Sequence, residues 1–244
     1  IMKTLTIIPS RLSATRLPGK PLLKINGISI ISHVFKRAQE ANIGEVVVAA
    51  EDQEIVDDVI KNGGKAIITN NNHKTGTDRI YEAFKKLDIK DVDLIMNLQG
   101  DEPAINVEDI ISLNKKMTIY PGQIGTLAAT IKNDHDLENE NIVKVTTKEN
   151  LKDEGFSRAE NFLRNYSKKD KVYHHVGIYC YSAEALEKFV KLKQSQNEIK
   201  NRLEQLRALD NNIEINVALA KSSPIGVDTE EDYLALKKIM EYKA

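Results

Sequence analysis

Along the first half of the chain the apolar positions switch repeatedly between two rhythms. Leu5 to Pro9, Val46 to Ala50, Ala66 to Ile68 and Asp93 to Leu98 are short, nearly unbroken apolar runs, the pattern of strands buried on both faces. Between them the spacing becomes helical. Ile30, Ile31, Val34, Phe35 and Ala38 mark a helix within 28–41; Ile55, Val56, Val59 and Ile60 mark a second that stops at Gly63-Gly64; Ile80 to Leu87 marks a third. Strand–helix alternation of this kind predicts an α/β fold, a Rossmann-like, mostly parallel sheet covered by helices on both faces. Ligands in such sheets gather at the carboxyl ends of the strands. The loops leaving Leu5–Pro9 and Asp93–Leu98 are therefore expected on one edge.

The second half changes character. Gly125 to Ile131, Ile142 to Thr147 and His175 to Tyr181 alternate like strands, and Ile213 to Ala220 reads as a last one. Alternation puts His175, Gly177 and Tyr179 on one face, with His174, Val176 and Ile178 on the other. Ser195 to Leu209 predicts one helix with a Ser195/Glu198 capping box and Leu203, Leu206 and Leu209 inward. Thr229 to Tyr242 predicts a terminal helix, and polar, lysine-rich stretches at 145–150 and 165–171 read as turns. This half is expected to complete the sheet and add a small mixed lobe.

Composition narrows the partners. The chain has 244 residues, 41% hydrophobic and 29% charged, with a net charge of -1, so no global field favours nucleic acid or a membrane surface. The lone Cys180 excludes an intramolecular disulfide framework and a cysteine zinc site, and its apolar setting suits a buried thiol in a reducing cytoplasm. No apolar run approaches the roughly 18 residues of a membrane span, and Thr4 to Ile8 is too short for an export signal.

Attraction to anions must then be local, and one stretch supplies it. R-L-S-A-T-R-L-P-G-K-P-L, Arg11 to Leu22, follows the first strand with Arg11, Arg16 and Lys20 as cations and Ser13 as a hydroxyl donor. Pro18-Gly19 sets a turn where backbone amides can approach a ligand. It is neither a Walker A loop nor G-x-G-x-x-G. L-Q-G-D-E-P, Leu98 to Pro103, puts Asp101 just beyond a strand, where a carboxylate beside phosphates suits Mg²⁺. In G-V-D-T-E-E-D-Y, Thr229 and the three acids after it suit a helix start, while Asp228 lies outside that need. H-K-T-G-T-D-R, His73 to Arg79, opens the third helix with Thr77 as a candidate N-cap.

Together these segments resemble the cytidylyltransferases that activate 3-deoxy-manno-octulosonate (Kdo), from Thr6 to about Tyr242. The resemblance implies a fold of the nucleotide-diphospho-sugar transferase type and a single domain over 2–244. Within it, 2–120 would bind nucleotide, 121–225 would bind sugar and form a homodimer, and 226–244 would supply a metal-site turn. It implies that Arg11, Ser13, Arg16 and Lys20 hold the CTP triphosphate, that Thr75 and Gly76 contact the nucleoside, and that Asp101 and Asp228 carry Mg²⁺, with Lys20 and Arg16 catalytic beside them. Arg79, Gln99, Arg158, His175, Tyr179, Glu204 and Gln205 would hold the sugar acid. The implied reaction transfers CMP from CTP to the anomeric hydroxyl of Kdo, for lipopolysaccharide biosynthesis in the cytoplasm. Alternatives are a related acid such as 8-amino-Kdo or a sialic acid, or a non-catalytic nucleotide binder. The chain departs from the family in A-E-N-F-L-R after Phe156–Arg158 and in S-Q-N-E-I-K-N-R before Leu203. Both border the sugar side.

Overall fold

The computed structural model describes residues 1–223 and 225–242. The chain opens with β1 (Thr4–Ser10), a 3-10 turn (Lys20–Leu22) and a two-strand hairpin, β2 (Lys24–Ile25) and β3 (Ile28–Ser29). Three strand–helix units follow: α1 (Ile30–Glu40) and β4 (Gly44–Ala50), α2 (Gln53–Lys61) and β5 (Ala66–Ile68), α3 (Gly76–Leu87) and β6 (Leu94–Asn97). Then come α4 (Val107–Ile119), β7 (Ile124–Ala129), α5 (His135–Glu138), β8 (Lys144–Thr147), β9 (Ser157–Leu163) and β10 (Val172–Ser182). The chain ends through α6 (Ala183–Lys191), α7 (Gln196–Asn201), α8 (Leu206–Asp210), β11 (Ile215–Leu219) and α9 (Glu230–Tyr242).

One nine-stranded sheet runs β5-β4-β1-β6-β10-β7-β11-β9-β8. Alternation along β1 explains its two covered faces. Leu5 and Ile7 pack with α3 and α6 residues Ile80, Ala83, Leu186 and Phe189, whereas Ile8 packs with α1, α2 and α4 through Val34, Phe35, Ile55 and Leu113. Helices therefore lie on both faces, as the apolar rhythm predicts. A third small core, Ile25, Ile30, Val227 and Leu236, ties α9 to the hairpin and so holds the C-terminal segment beside the loop after β1.

The expectation of a mostly parallel sheet needs correction. β5-β4-β1-β6 is parallel throughout, and β7 is parallel to β11, but β10 enters antiparallel between β6 and β7. The remaining pairings, β8 with β9 and β10 and β9 with β11, are antiparallel too. A parallel neighbour needs a long crossover, usually a helix; β8, β9 and β10 are joined by loops over 148–156 and 164–171 that contain no helix. Because β8 also pairs with β10, strands β10-β7-β11-β9-β8 close into a ring. The helix expected over 195–209 is also two helices. Its capping box is present, with Glu198 N–H donating to the Ser195 hydroxyl at 3.2 Å, but Arg202 turns left-handed at φ 53° and ends α7.

Candidate active site

Two strand ends meet on one sheet edge. β1 and β6 are parallel neighbours, so the loops after Ser10 and Asn97 leave side by side. Gly100 makes the approach close: a Cβ there would lie 2.7 Å from the Pro9 carbonyl oxygen, so a larger residue would push the two loops apart. Gly19, at φ 73°, turns the chain into the 3-10 turn and delivers Lys20. The Lys20 ammonium lies 3.0 Å from an Asp101 oxygen and 3.7 Å from an Asp228 oxygen. Val227 N–H donates to the Asp101 carbonyl at 2.9 Å, which explains how a carboxylate from the far end of the chain arrives here. Three distant segments thus converge on one point.

Two carboxylates serving a single cationic point is also the donor set Mg²⁺ takes, since that ion is commonly held by one or two carboxylates plus substrate phosphates. Asp101 and Asp228 fit it; no group of three or more His, Cys, Asp or Glu among the described residues offers another metal site. Glu102 stands beside them. It is buried, its Oε2 has no hydrogen-bond partner among the described residues, and burial together with the Asp101 and Asp228 charges pushes its carboxyl up to about 8. Sequence reasoning passed over it as a neighbour of Asp101.

Arg11, Ser13 and Arg16, on the loop after β1, are exposed, and neither arginine makes an ion pair among the described residues. Leu12 N–H donates to Asp52 at 2.7 Å and anchors the loop at its root. Thr75, not Thr77, caps α3: its hydroxyl accepts from Asp78 N–H at 3.2 Å, because the helix starts one turn earlier than its spacing suggested. Gly76 follows against the ring of Pro9. The loop before Thr75 is held from behind by Glu82, which accepts from Asn70 N–H at 3.1 Å, from the His73 ring and from Lys86 at 2.5 Å. Burial alone would raise the Glu82 carboxyl, but these donors outweigh it and hold it down at about 2.

A cavity of about 280 Å³ opens next to this edge. Gln99, His175, Gly177, Tyr179, Glu204 and Gln205 line it, together with Gly76, Thr77, Asn97 and Tyr181. Its floor is apolar, from Ile124, Val143, Leu203 and Ile215. Gln99 donates to the Gly177 carbonyl at 2.8 Å, fixing its amide across the mouth. The strand alternation holds on β10: His175, Gly177, Tyr179 and Tyr181 face the cavity, while Val176, Ile178 and Cys180 face the core. An irregularity in the β7 pairing at Gly177-Ile178 is plugged by Thr126, whose hydroxyl lies 2.7 Å from the Ile178 carbonyl oxygen and 3.0 Å from His175 Nε2. Burial pushes the His175 ring down to about 3, so it is a neutral imidazole at ordinary pH. Burial likewise raises the Tyr179, Tyr181 and Glu204 groups.

Two predicted sugar contacts are placed elsewhere. Arg79 is 3% exposed and is spent on Glu51, at 2.6 Å, and on the Thr69 hydroxyl, at 3.1 Å. Burial lowers its guanidinium and the Glu51 charge offsets part of that. Arg158 is exposed on β9 and pairs with Glu214 at 3.1 Å, away from the cavity. Neither lines the cavity, because α3 and β9 turn these positions towards local acids. Asn97 and Tyr181 are the cavity residues that sequence reasoning missed. Strand alternation was the available signal, since Asn97 shares a parity with Gln99, and Tyr181 with Tyr179.

A cytidylyltransferase family model matches residues 5–215. A 3-deoxy-manno-octulosonate cytidylyltransferase of Thermodesulfovibrio yellowstonii is 42% identical over 251 residues, covering 98% of each chain. The chain belongs to the 3-deoxy-manno-octulosonate cytidylyltransferase family. Another member, from Brucella ovis, is 42% identical over 234 residues, covering 95% of this chain and 93% of that protein. Among solved structures, a CMP:2-keto-3-deoxy-manno-octonic acid synthetase complexed with CTP superposes with a TM-score of 0.90 at 34% identity, over 99% of this chain and all of that one. A UDP-glucose pyrophosphorylase, at 14% identity and a TM-score of 0.72, shares the fold. Members of the cytidylyltransferase family are nucleotidyltransferases.

Proposed function

We propose that the protein transfers CMP from CTP to the anomeric hydroxyl of Kdo, releasing pyrophosphate. The observation that carries this reading is the convergence of Lys20, Asp101 and Asp228 on one point, two residues along the chain from Gln99 in the wall of a sugar-sized cavity. The hydroxyl oxygen forms a bond to the α-phosphorus, the bond from that phosphorus to the bridging oxygen breaks, and pyrophosphate departs with the electron pair. The hydroxyl proton passes to solvent.

Asp101 and Asp228 would hold Mg²⁺, which when bound neutralises phosphate charge and acidifies the sugar hydroxyl. The chain's own work is positioning and charge stabilisation. Lys20 stabilises charge gathering on the departing pyrophosphate, with Arg11, Arg16 and Ser13 donating to the outer phosphates. Thr75 and Gly76 shape the nucleoside side, on a loop that Glu82 steadies. Neutral His175, Tyr179, Gln99, Glu204 and Gln205 contact the sugar, and the apolar floor excludes water beneath it. Residues 2–120 and 226–244 thus supply the nucleotide and metal side, and 121–225 most of the sugar side. We further infer a cytoplasmic homodimer that serves lipopolysaccharide synthesis; among the described residues no helix is long and apolar enough to cross a membrane.

The test is product analysis by ³¹P NMR with CTP, Mg²⁺ and, in turn, Kdo, 8-amino-Kdo and a sialic acid. A phosphodiester CMP–Kdo signal with free pyrophosphate supports the reading. Product from another acid alone moves the substrate assignment and leaves the reaction standing. Absence of product with every acid overturns it in favour of a non-catalytic nucleotide binder.

A further inference from the structure

Most of the buried side-chain polar atoms that lack a partner lie around the site: Ser10 Oγ, Asn97 Oδ1, Glu102 Oε2 and Glu204 Oε1. Buried polar atoms are rarely left without a partner, so a cluster of them at a cavity is a candidate ligand contact. Of these, Asn97 and Glu204 line the cavity, and Asn97 is the one of the two with no assigned role. It is 5% exposed, lines the cavity, and ends β6, directly before the loop that carries Gln99 and Asp101. Its backbone is held on both sides, paired with Ile7 of β1 and Tyr179 of β10.

The Asn97 amide lines the cavity, and its Oδ1 has no hydrogen-bond partner among the described residues. Glu204, on the loop before α8, offers a second unpartnered oxygen to the same cavity. Both are acceptors. Their common complement is a ligand surface bearing hydroxyl donors, and an acidic group placed there would be repelled.

We propose that Asn97 is a specificity-determining residue that accepts a hydrogen bond from a hydroxyl of the sugar substrate through Oδ1. This rests on the cytidylyltransfer reading above. It adds a contact from the central strand to those expected from β10 and the Glu204–Gln205 corner. It also orients the substrate, because the hydroxyl-bearing side of the sugar faces Asn97 and Glu204 while its carboxylate points away from them.

The experiment is steady-state pyrophosphate release by the full-length protein with CTP and Mg²⁺, using Kdo and a panel of its monodeoxy analogues. Wild type, Asn97→Ala and Asn97→Asp are compared, with melting temperature and the KM for CTP as controls. Loss of one neutral hydrogen bond predicts that Asn97→Ala raises the sugar KM about tenfold with the CTP KM and melting temperature little changed. For one deoxy analogue that penalty should vanish, because the donor is already gone. Asn97→Asp, which keeps an oxygen acceptor, should recover most of the sugar KM. A penalty in Asn97→Ala that is equal for Kdo and every deoxy analogue overturns the proposal. So does an unchanged sugar KM, or a fall in melting temperature and a rise in CTP KM that account for the loss. Wild-type silence with Kdo removes the underlying reading first, and is distinct from activity that ignores Asn97.

Discussion

The corner that carries Glu204 and Gln205 depends on one buried ion pair, and breaking it should be expensive. Glu198 and Arg207 are each 3% exposed, and the Arg207 guanidinium donates to both Glu198 oxygens, at 2.5 and 2.8 Å. Arg207 also lies 4.8 Å from the centre of the Phe189 ring, and Glu198 closes the capping box by accepting from Ser195 N–H at 3.0 Å. Glu198→Gln keeps the volume and the cap but leaves the guanidinium buried without its counter-charge. Removing one partner of such a pair costs about 3–5 kcal/mol. The nearby Glu204 and Asp78 charges also favour the charged guanidinium, so the lower end, about 3 kcal/mol, is expected. For a chain this long, about 2–4 °C per kcal/mol gives a fall in melting temperature of about 6–12 °C. Replacing both residues with methionine should recover much of that loss, since no charge is then stranded. The assay is differential scanning calorimetry of wild type, single and double variants, with the sugar KM measured below the transition. A fall under about 2 °C in Glu198→Gln, or a double variant worse than the single, would refute the reasoning. The sign with pH is defined too. Burial alone raises the Glu198 carboxyl, but Arg207 and the Ser195 N–H hold it below its ordinary value. Its contribution is therefore full above the unfolded carboxylate range and is lost as pH falls through the depressed folded value.

Other consequences follow from single contacts. Lys20→Met should lower kcat about 10²-fold or more while leaving the sugar KM nearly unchanged, because the ammonium acts on charge that develops in the transition state; stopped-flow pyrophosphate detection reads this directly. Glu82→Gln should loosen the loop before Thr75 and raise the CTP KM about tenfold with little effect on the sugar KM, since it removes charged hydrogen bonds that hold only the nucleotide side. His175, folded near 3 against an unfolded 6.5, binds its proton mainly in the unfolded state, so it makes stability fall as pH drops below 6.5. Between there and about pH 5 that amounts to about 2 kcal/mol, and His175→Asn should flatten this part of the melting-temperature profile.

Much of the parallel part of the sheet and its loops was legible in the sequence, for a physical reason. Buried parallel strands must be apolar throughout, so β1, β4, β5 and β6 announce themselves, and the polar loops leaving β1 and β6 stand out against them. What was not legible depends on contacts distant in sequence. β10 enters between β6 and β7, and its own alternation cannot say which neighbours it will take. α7 ends at Arg202 in a left-handed conformation that local propensity does not favour, and the Glu198–Arg207 pair across the break is consistent with that bend. Arg79 carried the signature of a ligand-binding arginine, yet Glu51, 28 residues away, holds it. Asn97 was readable only by extending the parity of Gln99 back along β6.

The central claim is that Lys20, Asp101 and Asp228 form the working centre of a cytidylyltransferase. The measurement that tests it most directly is pyrophosphate release from CTP, Mg²⁺ and Kdo by wild type and Asp101→Asn side by side, with calorimetric Mg²⁺·CTP binding to both. Robust turnover in wild type, a loss of about 10²–10³-fold or more in the variant, and weakened Mg²⁺ dependence of CTP binding are predicted. Turnover and metal dependence that survive the substitution would contradict the account.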